Sequence, residues 1–386
     1  MEVNRFFAYV AGIFFKIANF AVMKKFYGIL LLAVALAASA CLKKVEHNPS
    51  ENKETAFGYI MQSYAKGTGT AGFKTLADNA VLFANNCYLT AFNPEEISEN
   101  DVKTLCSNWK TCRESWLRCL SLPVFDDGDS EVYETLGTWP SDIQGIQGTL
   151  ERMKNGEEVN FASLPNNQKG FAAAEYMLFQ ISEGKPVEHS PDYSAEELAY
   201  LCALTEEIEV LCTFLYAKWE GMESLADSYS SLLSRHEITV KGKGYGWELV
   251  NPGYEDSRFA TYQDGLLALL DGCIDFTEHF AAEMLGKEIS PLSLNSITDF
   301  KSALSGINYC YVGKISNQAS VSTFTKAWNP ELDTQIKSSI TQIQSGIGKL
   351  SEPLADCTED IEALVKKTST DLTSALVEVH EFIAGL

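Results

Sequence analysis

Apolar residues recur along this chain at helical spacing, not at the alternation of strands. The clearest run contains Leu105, Trp109, Cys112, Trp116 and Cys119, separated by four, three, four and three residues. That is the core stripe of a bundle helix. Ser98 and Asp101 stand three apart ahead of it and predict a capping box at its start. Leu76, Ala80, Phe83 and Cys87 mark a helix over 73–92, stopped by Asn93-Pro94. Ile143, Ile146, Leu150 and Met153 mark another, opened by Trp139-Pro140 with proline at its first position and ended by Asn155-Gly156. A long helix runs from Ser194 to about Met222 through Leu201, Ile208, Leu215 and Trp219.

The second half repeats the pattern. Helices are predicted from Phe259 to Phe280, ending near Gly286, and from Ser296 to Tyr311, closed by Gly313. A short one follows over 323–328, then 330–350 opened by Pro330, and 360–382. Near the start, Thr55–Lys66 reads as a short helix ended by Gly67-Thr68-Gly69-Thr70. Residues 125–133 read as an acidic loop. Asp126-Asp127-Gly128-Asp129 lacks the alternating ligand spacing of a calcium loop. Residues 226–253 are polar, with Gly242, Gly244, Gly246, Pro252 and Gly253, and leave room only for a short strand at Ile238-Thr239-Val240. No other strand pattern competes. The prediction is an all-α protein of two helical-bundle domains, 73–225 and 254–386, joined by a linker at 226–253.

The N-terminus reads as a targeting segment. Met23-Lys24-Lys25 is a positive start, Phe26 to Ala37 an apolar core, and Ala38-Ser39-Ala40-Cys41 a small-residue ending before a cysteine. That ending resembles a bacterial lipobox, which makes Cys41 the lipidation site and residues 1–41 a signal segment. Residues 42–72 then hold a polar tether and the first short helix. Lys16, Lys24 and Lys25 interrupt the apolar region and weigh against a single membrane-spanning helix.

Charge narrows the partners. The chain carries a net charge of −22, and loss of residues 1–40 takes away four basic residues and one acidic, moving it to −25. Nucleic acid is excluded as a partner on this ground. With 46% hydrophobic and 21% charged residues, the composition is globular. Nine cysteines follow Cys41, at spacings that fit no zinc pattern. They are expected to behave as small buried hydrophobes, with one or two disulfides whose connectivity stays open.

Candidate chemistry centres on Lys169-Gly170-Phe171-Ala172-Ala173-Ala174-Glu175-Tyr176-Met177-Leu178-Phe179. Phe171, Ala174, Met177 and Leu178 recur at helical spacing, and Glu175 is one carboxylate in an apolar turn that needs a partner. The stretch resembles the signature of the imelysin-like proteins, Gly-x-His-x-x-Glu followed by an aromatic and an apolar run. Gly170, Glu175, Tyr176, Leu178 and Phe179 fit, and Ala172 stands where the motif has histidine. Trp109-x-x-x-Arg113-x-x-Trp116, Trp139-Pro140 and Asn295-Ser296-Ile297-Thr298-Asp299-Phe300 resemble further segments of the family over residues 70–386.

The resemblance implies a cleft holding Gly170, Ala172, Glu175 and Arg113 from the first bundle and Asn295, Ser296 and Asp299 from the second. Beside Arg113, Glu175 is a structural ion. Beside Asp299, Glu175 and Asp299 could offer oxygens to a metal. The cofactor stays unknown, with iron or another divalent cation as the candidate. Asp271, Asp275 and His279 also share a helix face, read as a solvated one. There is no Gly-x-Ser-x-Gly elbow and no His-Glu-x-x-His pair.

The function expected from the resemblance is a lipid-anchored binding protein of the cell envelope of a Gram-negative bacterium, on the periplasm-facing outer membrane. It would take part in iron or haem uptake, with iron, haem or an iron-transport protein as partner and without peptidase activity. The alternatives are a metallopeptidase of the imelysin type and a structural or partner-binding lipoprotein with a degenerate cleft.

Overall fold

A computed structural model describes residues 53–123, 127–182, 185–354 and 359–386. The signal segment, Cys41, most of the tether and Cys357 lie outside these residues. The described chain is helical throughout, apart from one two-stranded antiparallel hairpin. Among the described residues no helix is long and apolar enough to cross a membrane.

The first bundle is built on α2 (Ala71–Phe92), which packs between α3 (Glu99–Cys119) and α7 (Ala195–Glu220). The predicted capping box at Ser98 is present: Asp101 N–H donates to Ser98 Oγ at 3.3 Å, and Ser98 N–H donates to Asp101 Oδ2 at 2.9 Å. Three shorter helices close the bundle, α4 (Asp127–Gly137), α5 (Ile143–Lys154) and α6 (Gly170–Leu178). The second bundle comprises α10 (Tyr262–His279), α11 (Ser296–Tyr311), α12 (Val321–Trp328), α13 (Pro330–Ile347) and α14 (Glu359–Ala384), with α14 against both α10 and α13. The bundles meet where α3 packs on α11, and where α1 (Lys53–Tyr64) packs on α10. Their buried side chains form one continuous core, with Trp109, Trp116 and Trp219 among the largest fully enclosed. Gly306 permits the α3–α11 approach, since a Cβ there would stand 2.6 Å from the Arg118 carbonyl oxygen.

Several expectations change. The acidic stretch expected as a loop over 125–133 contributes to α4, because Val132 and Leu136 bury their side chains and Tyr133 packs on Trp116 with ring centroids 4.8 Å apart. Gly67-Thr68-Gly69-Thr70 does not end a helix. Residues 65–70 form a π-helical turn leading directly into α2, with Gly67, Thr68 and Gly69 buried and Ala65 O accepting from Trp219 Nε1 at 3.1 Å. Pro140 is not the first residue of α5. That helix begins at Ile143, capped by Asp142, whose Oδ1 accepts from Gly145 N–H at 2.9 Å. The polar stretch 226–253 carries α8 (Asp227–Arg235) and α9 (Tyr245–Val250), which bury Tyr229, Leu233, Tyr245 and Leu249. No strand forms at Ile238–Val240. The strands are instead β1 (Phe179–Ser182) and β2 (Lys185–Glu188), immediately after α6.

Gly170 fixes the start of α6. Its φ of +65° lies in the left-handed region, and a Cβ would stand 2.2 Å from the Thr135 carbonyl oxygen. Gly170→Ala is therefore expected to lose upwards of about 2 kcal/mol, through a strained φ and a backbone clash together. Gly148→Ala, inside α5 with open space at its Cβ, should gain about 0.5–1 kcal/mol. Chemical denaturation of the two variants beside the parent checks both signs. A neutral Gly170→Ala would show that α4 yields at this contact.

Candidate functional site

Helix α6 is apolar on almost every side and is correspondingly enclosed, with only Tyr176 partly exposed. Polar contacts at its start set its position. Trp109 Nε1 on α3 donates to the Phe171 carbonyl at 2.9 Å, and the Tyr200 hydroxyl on α7 donates to the Gln168 carbonyl at 2.8 Å. Lys169 Nζ lies 3.1 Å from Glu207 Oε1. These contacts hold Ala172 and Glu175 inside the protein, at 4% and 2% exposure.

Across from α6, the segment before α11 folds over Asp299. Asp299 is fully buried, and all of its oxygens are engaged. Oδ2 accepts from Arg113 Nε at 2.7 Å and from Ser290 Oγ at 2.5 Å, and Oδ1 accepts from Asn295 Nδ2 at 2.8 Å. Arg113 Nη2 donates to the Ile289 carbonyl at 3.1 Å, and the guanidinium lies 5.6 Å from the Trp109 ring. Ser296 Oγ accepts from Ser290 N–H at 3.0 Å. Within this segment Leu294 has a φ of +46°, in the left-handed region that a leucine seldom adopts.

Glu175 does not share a hydrogen bond with Arg113. Its Oε1 accepts from the Ser293 N–H at 2.9 Å and the Ser293 hydroxyl at 2.6 Å. Burial pushes its carboxyl up to about 7, against the Ser293 hydrogen bonds and the Arg113 charge, which pull it down. The structure thus brings Glu175, Arg113, Asn295, Ser296 and Asp299 into one buried neighbourhood between the bundles. Ser290 and Ser293 join it without having stood out in the sequence. Their only signal there is a serine-rich run, Ser290-Pro291-Leu292-Ser293, ahead of a helix start.

This donor set does not fit a metal ion. Ala172 supplies no ligand, both Asp299 oxygens are taken, and the Arg113 guanidinium already stands beside Asp299 as its positive charge. Among the described residues no three of His, Cys, Asp and Glu are grouped to hold a metal. Asp271, Asp275 and His279 are exposed, and Asp271 Oδ1 lies 3.0 Å from His380 Nε2.

Arg113 and Ile289 also reach the floor of an open groove of about 850 Å³ between the bundles. Trp116, Tyr133, Trp139 and Phe276 give it an aromatic wall, while Asp271, Asp275, His279 and Glu283 lie along the α10 side. Sequence periodicity placed Asp271, Asp275 and His279 on one face. It gave no indication that the α4 segment would stand opposite them.

The raised Glu175 pKa has a defined stability signature. The folded protein holds this proton more tightly than the unfolded chain, whose carboxyl titrates near 4.5. Stability from this group is therefore full below pH 4.5 and is lost as pH rises towards 7. Glu175→Gln keeps an acceptor for Ser293 and removes the titration. The fall in unfolding free energy between about pH 5 and pH 8 should be smaller in the variant by about 2–3 kcal/mol. Glu209, also raised by burial, acts in the same direction in both proteins and cancels. Equal pH dependence in the two proteins would place Glu175 in water.

The imelysin family profile matches residues 70–381. Among solved structures, one designated an iron-regulated protein A precursor from Parabacteroides distasonis ATCC 8503 superposes with a TM-score of 0.69 at 19% identity, covering 86% of this chain and 96% of that one. An imelysin-like protein from Psychrobacter arcticum 273-4 superposes with a TM-score of 0.58 at 9% identity, covering 83% and 93%. No curated protein matches the chain. At these identities the structural likeness establishes the fold, and the profile establishes descent: this all-α, two-bundle chain belongs to the imelysin family.

Proposed function

We propose that this protein is a lipid-anchored envelope binding protein that takes part in iron or haem acquisition and lacks peptidase activity. The observation that carries the reading is the groove between the bundles. Its volume, about 850 Å³, suits a ligand of cofactor size. Its aromatic wall offers stacking area, and its α10 side offers carboxylates and an imidazole to a cationic or iron-bearing ligand. One structural neighbour carries an iron-regulated designation, which supports the same direction. Peptidase chemistry of the metal-dependent kind needs protein ligands, a metal-bound water and a general base. Ala172 and the engaged Asp299 leave the motif region without such a set.

Titration of the purified protein with ferrous iron, ferric iron and haem tests this. Saturable binding of at least one is expected, weakened by Trp139→Ala, with no cleavage of casein in the same mixtures. Unchanged growth of a deletion strain on every scarce iron source, together with no binding, would sink the proposal. Proteolysis lost on Glu175→Gln would overturn its non-enzymatic part.

The anchor has its own test. Cys41 is preceded by the apolar run and small residues of a lipobox-like ending. Cys41→Ser should move the protein from the membrane fraction to the soluble fraction. A variant that stays wholly with membranes would point to an uncleaved N-terminal anchor instead.

A further inference from the structure

Six of the eight described cysteines stand in pairs that join different helices. Cys87 on α2 faces Cys202 on α7, with the two sulfurs 3.5 Å apart. Cys112 on α3 is in hydrogen-bond contact with Cys212 on α7, and Cys273 on α10 with Cys310 on α11. Cys106 and Cys119 contact no other thiol so closely. Their sulfurs are buried, and Cys106 donates to the Leu178 carbonyl at 3.4 Å. The pairs are remote in sequence, so only the packing of the helices brings them together.

Access separates the three pairs. Cys202 is the one described cysteine that is not buried, whereas both members of the other two pairs are enclosed. We propose that Cys87 and Cys202 are a redox-active pair, closed to a disulfide by a small-molecule or protein disulfide that enters at Cys202. The sulfurs need to approach by about 1.5 Å to reach bonding distance near 2 Å, a movement within the reach of side-chain rotation.

The exchange balances as follows. The Cys202 thiolate attacks one sulfur of the incoming disulfide, forming a mixed disulfide and expelling a thiolate. The Cys87 thiolate then attacks the Cys202 sulfur, forming the Cys87–Cys202 bond and expelling the second thiolate. Two protons pass from the cysteines to the two released thiols. The cysteine pair loses two electrons and the incoming disulfide gains them. The order of attack follows the local chemistry. A hydrogen bond from Cys87 holds the Cys202 thiol below its usual range, while the same contact and burial raise Cys87. The bond would tie α2 to α7, the two longest neighbours of the first bundle, and close a long loop of chain between them.

The test uses the purified, pre-reduced protein and oxidised glutathione under native conditions. Remaining thiols are alkylated, and disulfide-linked peptides are mapped by mass spectrometry. The expected result is a Cys87–Cys202 linked peptide at the lowest oxidant dose that reacts at all, with Cys112, Cys212, Cys273 and Cys310 still alkylated. The oxidised protein should melt at a higher temperature than the reduced one. Cys87→Ser should trap glutathione on Cys202, because the resolving thiol is gone, and Cys106→Ser should change nothing. If excess oxidant leaves Cys87 and Cys202 both alkylated, the proposal is wrong. The same holds if the parent stops at the glutathione adduct. Should Cys87→Ser fail to fold, the linked peptide in the parent decides the matter together with Cys202→Ala, which should take up no glutathione at Cys87 at the same oxidant dose.

Discussion

Burying the Arg113 guanidinium with the Asp299 carboxylate takes two full charges out of water, and much of the interface between the bundles is arranged around that pair. Each ion alone would carry a desolvation penalty of several kcal/mol. Their mutual attraction offsets it only because the remaining valences are filled. Ser290 and Asn295 complete the carboxylate, the Ile289 carbonyl takes a guanidinium N–H, and the Trp109 ring covers the cation's flank. Arg113 belongs to the first bundle and Asp299 to the second, so the pair fixes their register at the point where α3 crosses α11. Separating the bundles would leave both charges without partners.

The same network accounts for the state of Glu175. Arg113 commits its hydrogen bonds to Asp299 and Ile289, and reaches Glu175 only through its field. Ser293 alone donates to the Glu175 oxygen that is described in contact. A carboxyl with two neutral donors and a distant cation is less well compensated than one in a direct ion pair, and burial consequently dominates its titration. Ala172 adds no polar atom to the helix face it shares with Glu175. The family motif is thus retained here as packing, with Gly170 meeting the end of α4 and the glutamate bridging to the segment before α11.

What the sequence by itself determined is whatever depends on local periodicity and local chemistry. The stripe from Leu105 to Cys119 specified α3, because residues three and four apart share a helix face. Ser98 with Asp101 specified its start, and Gly170, Glu175 and the apolar turn between them identified the family and the enclosed helix. Where burial came from distant partners, local reading failed. The stretch 125–133 reads as an acidic loop, yet Asp127–Gly137 is a helix, on which Tyr133 packs against Trp116. The glycines at 67 and 69 look like a stop until Ile315 packs on the first and Trp219 on the second, and the polar stretch 226–253 hides two short helices held by a few aromatic and leucine side chains. Tertiary structure alone decided that Arg113 would choose Asp299 over Glu175, that Ser290 and Ser293 would complete the site, and that Cys87 would meet Cys202. Each depends on which of several chemically suitable partners the packing of helices brings within about 3 Å, or sulfur contact, and that distance is not encoded in the spacing of residues along one chain segment.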